Sequence, residues 1–225
     1  MRNYCCLLFL DSKSKLKSPN NESKPCHHLL DLFRRNFLGD ERSNSRTHHL
    51  EGPSSSDIEI GRRLGGASVT DVNEVMASFR NVTELMDAGI RIKRSPTCHL
   101  RDISFHSNGI SACLRIPPIT IDNSTKAMFL NLIAYEMSSD VDHDFISYLR
   151  FLDSLIDHAD DVKELQSAGI LQNNLGTHEE VALFFNTVSA NLVPNFLAYK
   201  NVRVKIQQHL KSHYNSRLKM WMTQN

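Results

Sequence analysis

Asp140, Asp142 and Asp144 alternate with Val141 and His143, the spacing with which a calcium-binding loop opens. Carboxylates at that interval can surround a hard cation, but a loop counted from Asp140 needs Gly at position 145 and Glu at position 151. Both positions are Phe. A helix start is the ordinary explanation, because anionic groups favour the positive end of the backbone dipole. His209 and His213 are one helical turn apart and could share a metal, yet no Glu follows His209 and no third ligand stands nearby. Cys26-His27-His28 and Cys98-His99 lack zinc-finger spacing. Gly61-Arg62-Arg63-Leu64-Gly65-Gly66 fits neither a phosphate loop nor a dinucleotide fingerprint, and no nucleophile elbow or His-Glu-x-x-His occurs. No cofactor, metal site or catalytic residue is expected. The rival reading is a hydrolase or transferase whose groups, His143, Asp144 or His178 among them, meet only in space.

Charge carries more information than motif. With 26 basic and 25 acidic residues the net charge is +1, so no overall field announces a nucleic-acid partner and none is expected. Locally the balance is uneven. From Asp140 to Glu180 the acids far outnumber Arg150 and Lys163, while Asn195 to Asn225 holds Lys200, Arg203, Lys205, Lys211, Arg217 and Lys219 and no acid. The two segments either face each other or solvate the fold. As sites, they give a basic contact face (Lys200, Arg203, Lys211, Arg217) for anionic lipid or an acidic partner, and an acidic contact segment (Asp140, Asp142, Asp144) for a protein partner. The 5 cysteines are odd in number, with no Cys-x-x-Cys, and read as reduced thiols. The apolar run Tyr4 to Leu10 is at the lower limit for a signal peptide and lacks a cleavage site, and no stretch is long enough to span a bilayer.

Periodicity places these residues on a mainly α body with a small β-hairpin element, a helical bundle-like α+β fold. His28 to Leu38 is amphipathic and stops at Gly39. Residues 40–69, rich in Ser, Arg, Gly and Pro, read as a flexible linker between a 1–39 remnant and a helical 70–225 part. A helix from Thr70 through Met86 should bury Val72, Val75, Phe79, Val82 and Leu85 and close at Gly89. Alternating apolar residues on either side of Asn108-Gly109 predict a hairpin, which Pro117-Pro118 ends. Helices should follow over about 122–137, 142–158 and 160–168, then one opened by the capping box Thr177-His178-Glu179-Glu180, and a last one from near Asn195 bearing Phe196, Tyr199, Ile206 and Leu210. Val82 to Ile90 and Val162 to Ile170 echo each other, reading as a reused helix stop in preference to a duplicated binding unit.

Several blocks together resemble a known family: Ala88-Gly89-Ile90-Arg91-Ile92-Lys93, Leu114-Arg115-Ile116-Pro117-Pro118-Ile119-Thr120-Ile121-Asp122, Phe129 to Glu136, Asp161 to Leu165, and Glu179 to Asn186. From about Cys26 to Trp221 the chain is similar to the plant-specific domain-of-unknown-function 247 family (DUF247, UPF0481-type proteins). The resemblance implies no catalytic activity. It implies a recognition or signalling module that works through an unknown protein partner, tethered to a membrane, the plasma membrane, with some grass members linked to self-incompatibility. Family members usually have a longer N-terminal half upstream of Pro25 and a transmembrane helix after the position of Trp221. The expectation is therefore a copy shortened at both ends, soluble in the cytoplasm or peripheral to a membrane, with a non-functional truncated copy as a further alternative.

Overall fold

A computed structural model of the chain describes residues 29–39, 81–108, 111–195 and 197–224, with side chains described as far as Tyr214. The first helix, α1 (Leu29–Leu38), turns Leu38 and Arg34 inward and ends on Gly39, which has φ +82°. Residues 40–69, read as a linker, lie outside the described residues. So does most of the helix expected from Thr70. What is described corrects that helix: Asn81 is extended (φ −64°, ψ 170°), and a separate short helix α2 (Val82–Asp87) begins after it. The cause is local. Asn81 Oδ1 accepts the Glu84 amide at 2.9 Å, the bond that makes Asn a starter of helices and a poor interior residue.

Gly89, at φ +83°, turns the chain from α2 into β1 (Ile90–Arg94). The expected hairpin is present, as β2 (Ser104–Ser107) pairs antiparallel with β3 (Ala112–Ile116). Asn108 supports the connection, accepting the Ser111 amide at 2.8 Å. Nothing local announced the rest of the sheet: β1 adds to the other side of β3 in parallel, giving the order β1-β3-β2. Past Pro117-Pro118, β4 (Ile119–Ile121) leaves this sheet and pairs in parallel with β5 (Leu171–Asn173), a second unforeseen ladder.

The intervening chain is helical. Asp122 caps α3 (Asn123–Ser138) through the Thr125 amide at 2.7 Å, and its hydrogen bonds from Ser124 and Thr125 hold its carboxyl below the usual range. There follow α4 (Asp144–Asp153) and α5 (Ala159–Ser167). Gly169 (φ +70°) then leads into β5 as Gly89 leads into β1, so the sequence echo is one helix-glycine-strand turn used twice. The capping box opens α6 (His178–Ser189) as expected, with Thr177 Oγ1 accepting the Glu180 amide and Glu180 accepting that of Thr177, both at 3.2 Å. The last helix is α7 (Lys200–Gln224), which starts later than expected because Tyr199 adopts φ 57°.

One core joins these elements. Phe145, fully buried on α4, meets Phe37 of α1 and Phe129 of α3 with ring centroids at 6.3 and 5.1 Å, and Phe184 of α6 lies 6.3 Å beyond Phe129. The helix-rich α+β class read from periodicity is the class observed. Two glycines separate conformation from crowding. A Cβ at Gly89 would meet nothing within 4 Å, whereas one at Gly39 would lie 2.6 Å from His99 Cγ. Gly89→Ala is therefore expected to cost about 1–2 kcal/mol, for the left-handed backbone alone. Gly39→Ala should cost about 3 kcal/mol, since the His99 ring must also be displaced. Urea midpoints of the two variants check this, and equal costs would refute it.

Candidate functional site

The residues with unusual surroundings gather where α1 meets the α3–α4 turn. On α3 the buried stripe runs Phe129, Leu132, Ile133, Glu136, so helical spacing carries an acid into the core. Glu136 is completely buried, and both of its oxygens are used at the start of α4: Oε1 accepts the Phe145 amide and Oε2 the Ile146 amide, each at 3.0 Å. These amides have no intrahelical acceptor, and the helix dipole adds to the attraction. Arg34 closes the arrangement from α1. Its Nε lies 2.5 Å from Glu136 Oε1, one Nη donates to the Asp142 carbonyl, and the same nitrogen is 3.5 Å from Asp144 Oδ2. Arg101 donates to that Asp144 oxygen at 2.6 Å. Tyr199, whose hydroxyl donates to the Leu100 carbonyl at 3.0 Å, borders the cluster. Burial first, and the Asp144 charge second, raise its pKa well above the ordinary phenol value.

The cluster divides the acidic contact segment. Asp140 and Asp142 are exposed, but Asp144 is mostly buried and paired with two arginines, so it does not belong to an open acidic surface. The arrangement holds a turn; both oxygens of Glu136 and Oδ2 of Asp144 already accept from a guanidinium or an amide. Each dispersed-enzyme candidate has a partner outside that set. His143 Nδ1 is 3.2 Å from the Val193 carbonyl, and His178 Nε2 is 3.1 Å from Gln166 Oε1, while Asp144 is held by Arg101 and Arg34. Among the described residues no group of three or more His, Cys, Asp or Glu could hold a metal ion. His209 Nδ1 lies 3.0 Å from Ser107 Oγ, with the His213 ring stacked 6.3 Å away. Burial, and then the His213 charge, lower its pKa.

The basic contact face needs a correction too. Arg203 is only 5% exposed, its guanidinium 5.1 Å from the Phe151 ring centroid. Burial, then the nearby Arg150 charge, bring its pKa down to about 10. It sits between Tyr199 and Ile206 on the stripe that faces the body, and a guanidinium over an aromatic ring can occupy such a stripe. Lys211 is exposed and Lys200 half-buried, whereas the side chain of Arg217 lies outside the described residues. Sequence reading missed Arg34, Arg101 and Glu136. For Glu136 the signal was available, an acid on a buried helical stripe; its partner Arg34, 102 positions away, gave none.

The molecule so defined is a helix-rich α+β body whose buried charge cluster fixes an acidic turn. The chain belongs to the DUF247 family, plant proteins of unknown function, whose family model matches residues 3–225, from well upstream of Cys26. It is similar to UPF0481 protein At3g47200 of Arabidopsis thaliana, with 27% identity over 198 residues, covering 84% of this chain and 39% of that protein. It is also similar to putative UPF0481 protein At3g02645 of the same plant, with 31% identity over 115 residues, covering 50% of this chain and 21% of the relative. The chain thus spans well under half the length of these relatives. No solved structure matches it significantly. Among the described residues no helix is long and apolar enough to cross a membrane.

Proposed function

We propose that the chain is a non-enzymatic recognition module, working through protein contacts close to a membrane. The observation that carries this reading is the acidic turn between α3 and α4. Asp140 and Asp142 are exposed, and the carbonyl of Asp142 is tied to Arg34, which is itself anchored on buried Glu136. A surface group on a backbone fixed from below loses little freedom on binding, which favours contact over catalysis at such a place. Lys200 and Lys211 are eleven positions apart, nearly on one line along α7 at about 3.6 residues per turn, and would face an anionic surface.

Proximity-dependent biotin labelling in plant cells tests the reading. An Asp140→Lys/Asp142→Lys variant should lose a defined set of labelled proteins while keeping its level and cooperative unfolding. An unchanged set would refute the acidic contact. Flotation with anionic vesicles tests the membrane part: Lys200→Glu/Lys211→Glu should float less than the parent, and equal flotation would remove that part.

A further inference from the structure

The three-stranded sheet buries one face and leaves the other partly open to solvent. Its register sets Arg91, Cys113 and His106 in one row across β1, β3 and β2, and Lys93, Arg115 and Ser104 in the next. Paired residues project to the same side and alternate along each strand, so all six share the face opposite Leu114 and Phe105. Arg91, Lys93 and His106 are exposed; Cys113, Arg115 and Ser104 are half-buried. No acid stands in either row. Among the described residues, none of Arg91, Lys93 and Arg115 forms an ion pair or hydrogen bond through its side chain, while Arg34, Arg35, Arg101 and Arg150 all have carboxylate partners.

The second row is the informative one. Lys93 and Arg115 are direct register partners on strands about 4.8 Å apart, and like charges placed opposite one another weaken a sheet. A face that only needed solvation would mix signs and avoid that repulsion. A bound polyanion removes it. Along β1 the cations Arg91 and Lys93 stand two residues apart, about 6.6–6.8 Å, which is also the repeat of alternate side chains in any extended peptide. Arg91 and Arg115 supply the forked donors that bind carboxylates in pairs, and Lys93 a point charge between them.

We propose that this face binds an extended acidic segment of a protein partner, with Asp or Glu at alternate positions. The proposal rests on the protein-contact reading above and names the chemistry of a partner for it.

The test is fluorescence anisotropy of the full chain with a labelled peptide of alternating Glu and Ser, against a Lys-Ser peptide of equal length. The Glu-Ser peptide should bind, more weakly as salt rises, and the Lys-Ser peptide should not. Arg91→Glu/Arg115→Glu should weaken binding by about tenfold or more. A neutral Arg91→Gln/Lys93→Gln/Arg115→Gln variant should also lose binding while melting no lower than the parent, which separates loss of the site from loss of the fold. Alkylation of Cys113, read by site-resolved mass spectrometry, should slow when the Glu-Ser peptide is present. Equal affinity of parent and variants, or unslowed Cys113 alkylation, would overturn the proposal. Binding to phosphatidylcholine–phosphatidylserine vesicles with none to the peptide would overturn it in favour of a lipid surface. Peptide failure with the Asp140/Asp142-dependent labelling intact condemns this face alone; failure of both condemns the recognition reading as well.

Discussion

Arg34→Leu is expected to destabilise the protein by about 3–5 kcal/mol, among the largest effects available to a single substitution, because it leaves Glu136 charged, buried and without its cation. Two amides from α4 still hold the carboxylate, so local structure persists while its charge goes uncompensated. The sharper form of the test is a double-mutant cycle. Glu136→Leu alone strands the Arg34 Nε and two helix-start amides. Arg34→Leu/Glu136→Leu together should be much less damaging than the sum of the singles, since replacing both members of a buried pair with apolar side chains is far cheaper than removing one. Urea unfolding of the four proteins decides it. Additive costs would mean that the two residues do not form the pair described.

Asp161→Ala is expected to cost about 3 kcal/mol through a different mechanism, the loss of one acceptor that serves many donors. Asp161 is 1% exposed. Its Oδ1 accepts the Thr83 amide at 3.0 Å and the Thr83 hydroxyl at 2.8 Å, and its Oδ2 accepts the amides of Asp157 at 3.0 Å and His158 at 3.1 Å. Truncation strands three partly buried amides, each worth about 1–3 kcal/mol when left without a partner. Asp161→Asn should recover little, because its amide nitrogen points a donor at donors. Hydrogen exchange should show the loss in both α2 and α5, since the carboxylate joins the first turns of the two helices. Faster exchange confined to α5 would show that the link to Thr83 is not structural.

Much of the helical frame could be read from the chain, because its signals lie within a few residues of one another. Thr177 and Glu180 make their reciprocal bonds across three positions, and Asn108 organises its own turn. Gly89 and Gly169 take the conformation that their place after a helix requires. The start of α7 was misread although its signal is equally local. The helix was expected from near Asn195, but the side chain of Asn195 accepts the Leu197 amide at 3.0 Å and its own amide donates to Ser147 Oγ at 2.9 Å, so it builds a turn. Arg203 was misread because charge was counted without asking which side of the helix carried it. Its position between Tyr199 and Ile206 placed it on the inward stripe. The parallel ladders and the Arg34–Glu136 pair were out of reach, since each joins segments far apart and nothing in a three-residue Ile-Thr-Ile strand names its mate. The candidate site was legible only as an acidic turn; the cation beneath it was not.

The pairing of β4 with β5 also bears on how the chain is born. Leu171 leaves the ribosome about fifty residues after Ile119, so the amides and carbonyls of β4 that meet β5 have no strand partner until then. Nascent chains halted before residue 171 would therefore carry β4 without the strand it pairs with, a raw edge on which a chaperone would act.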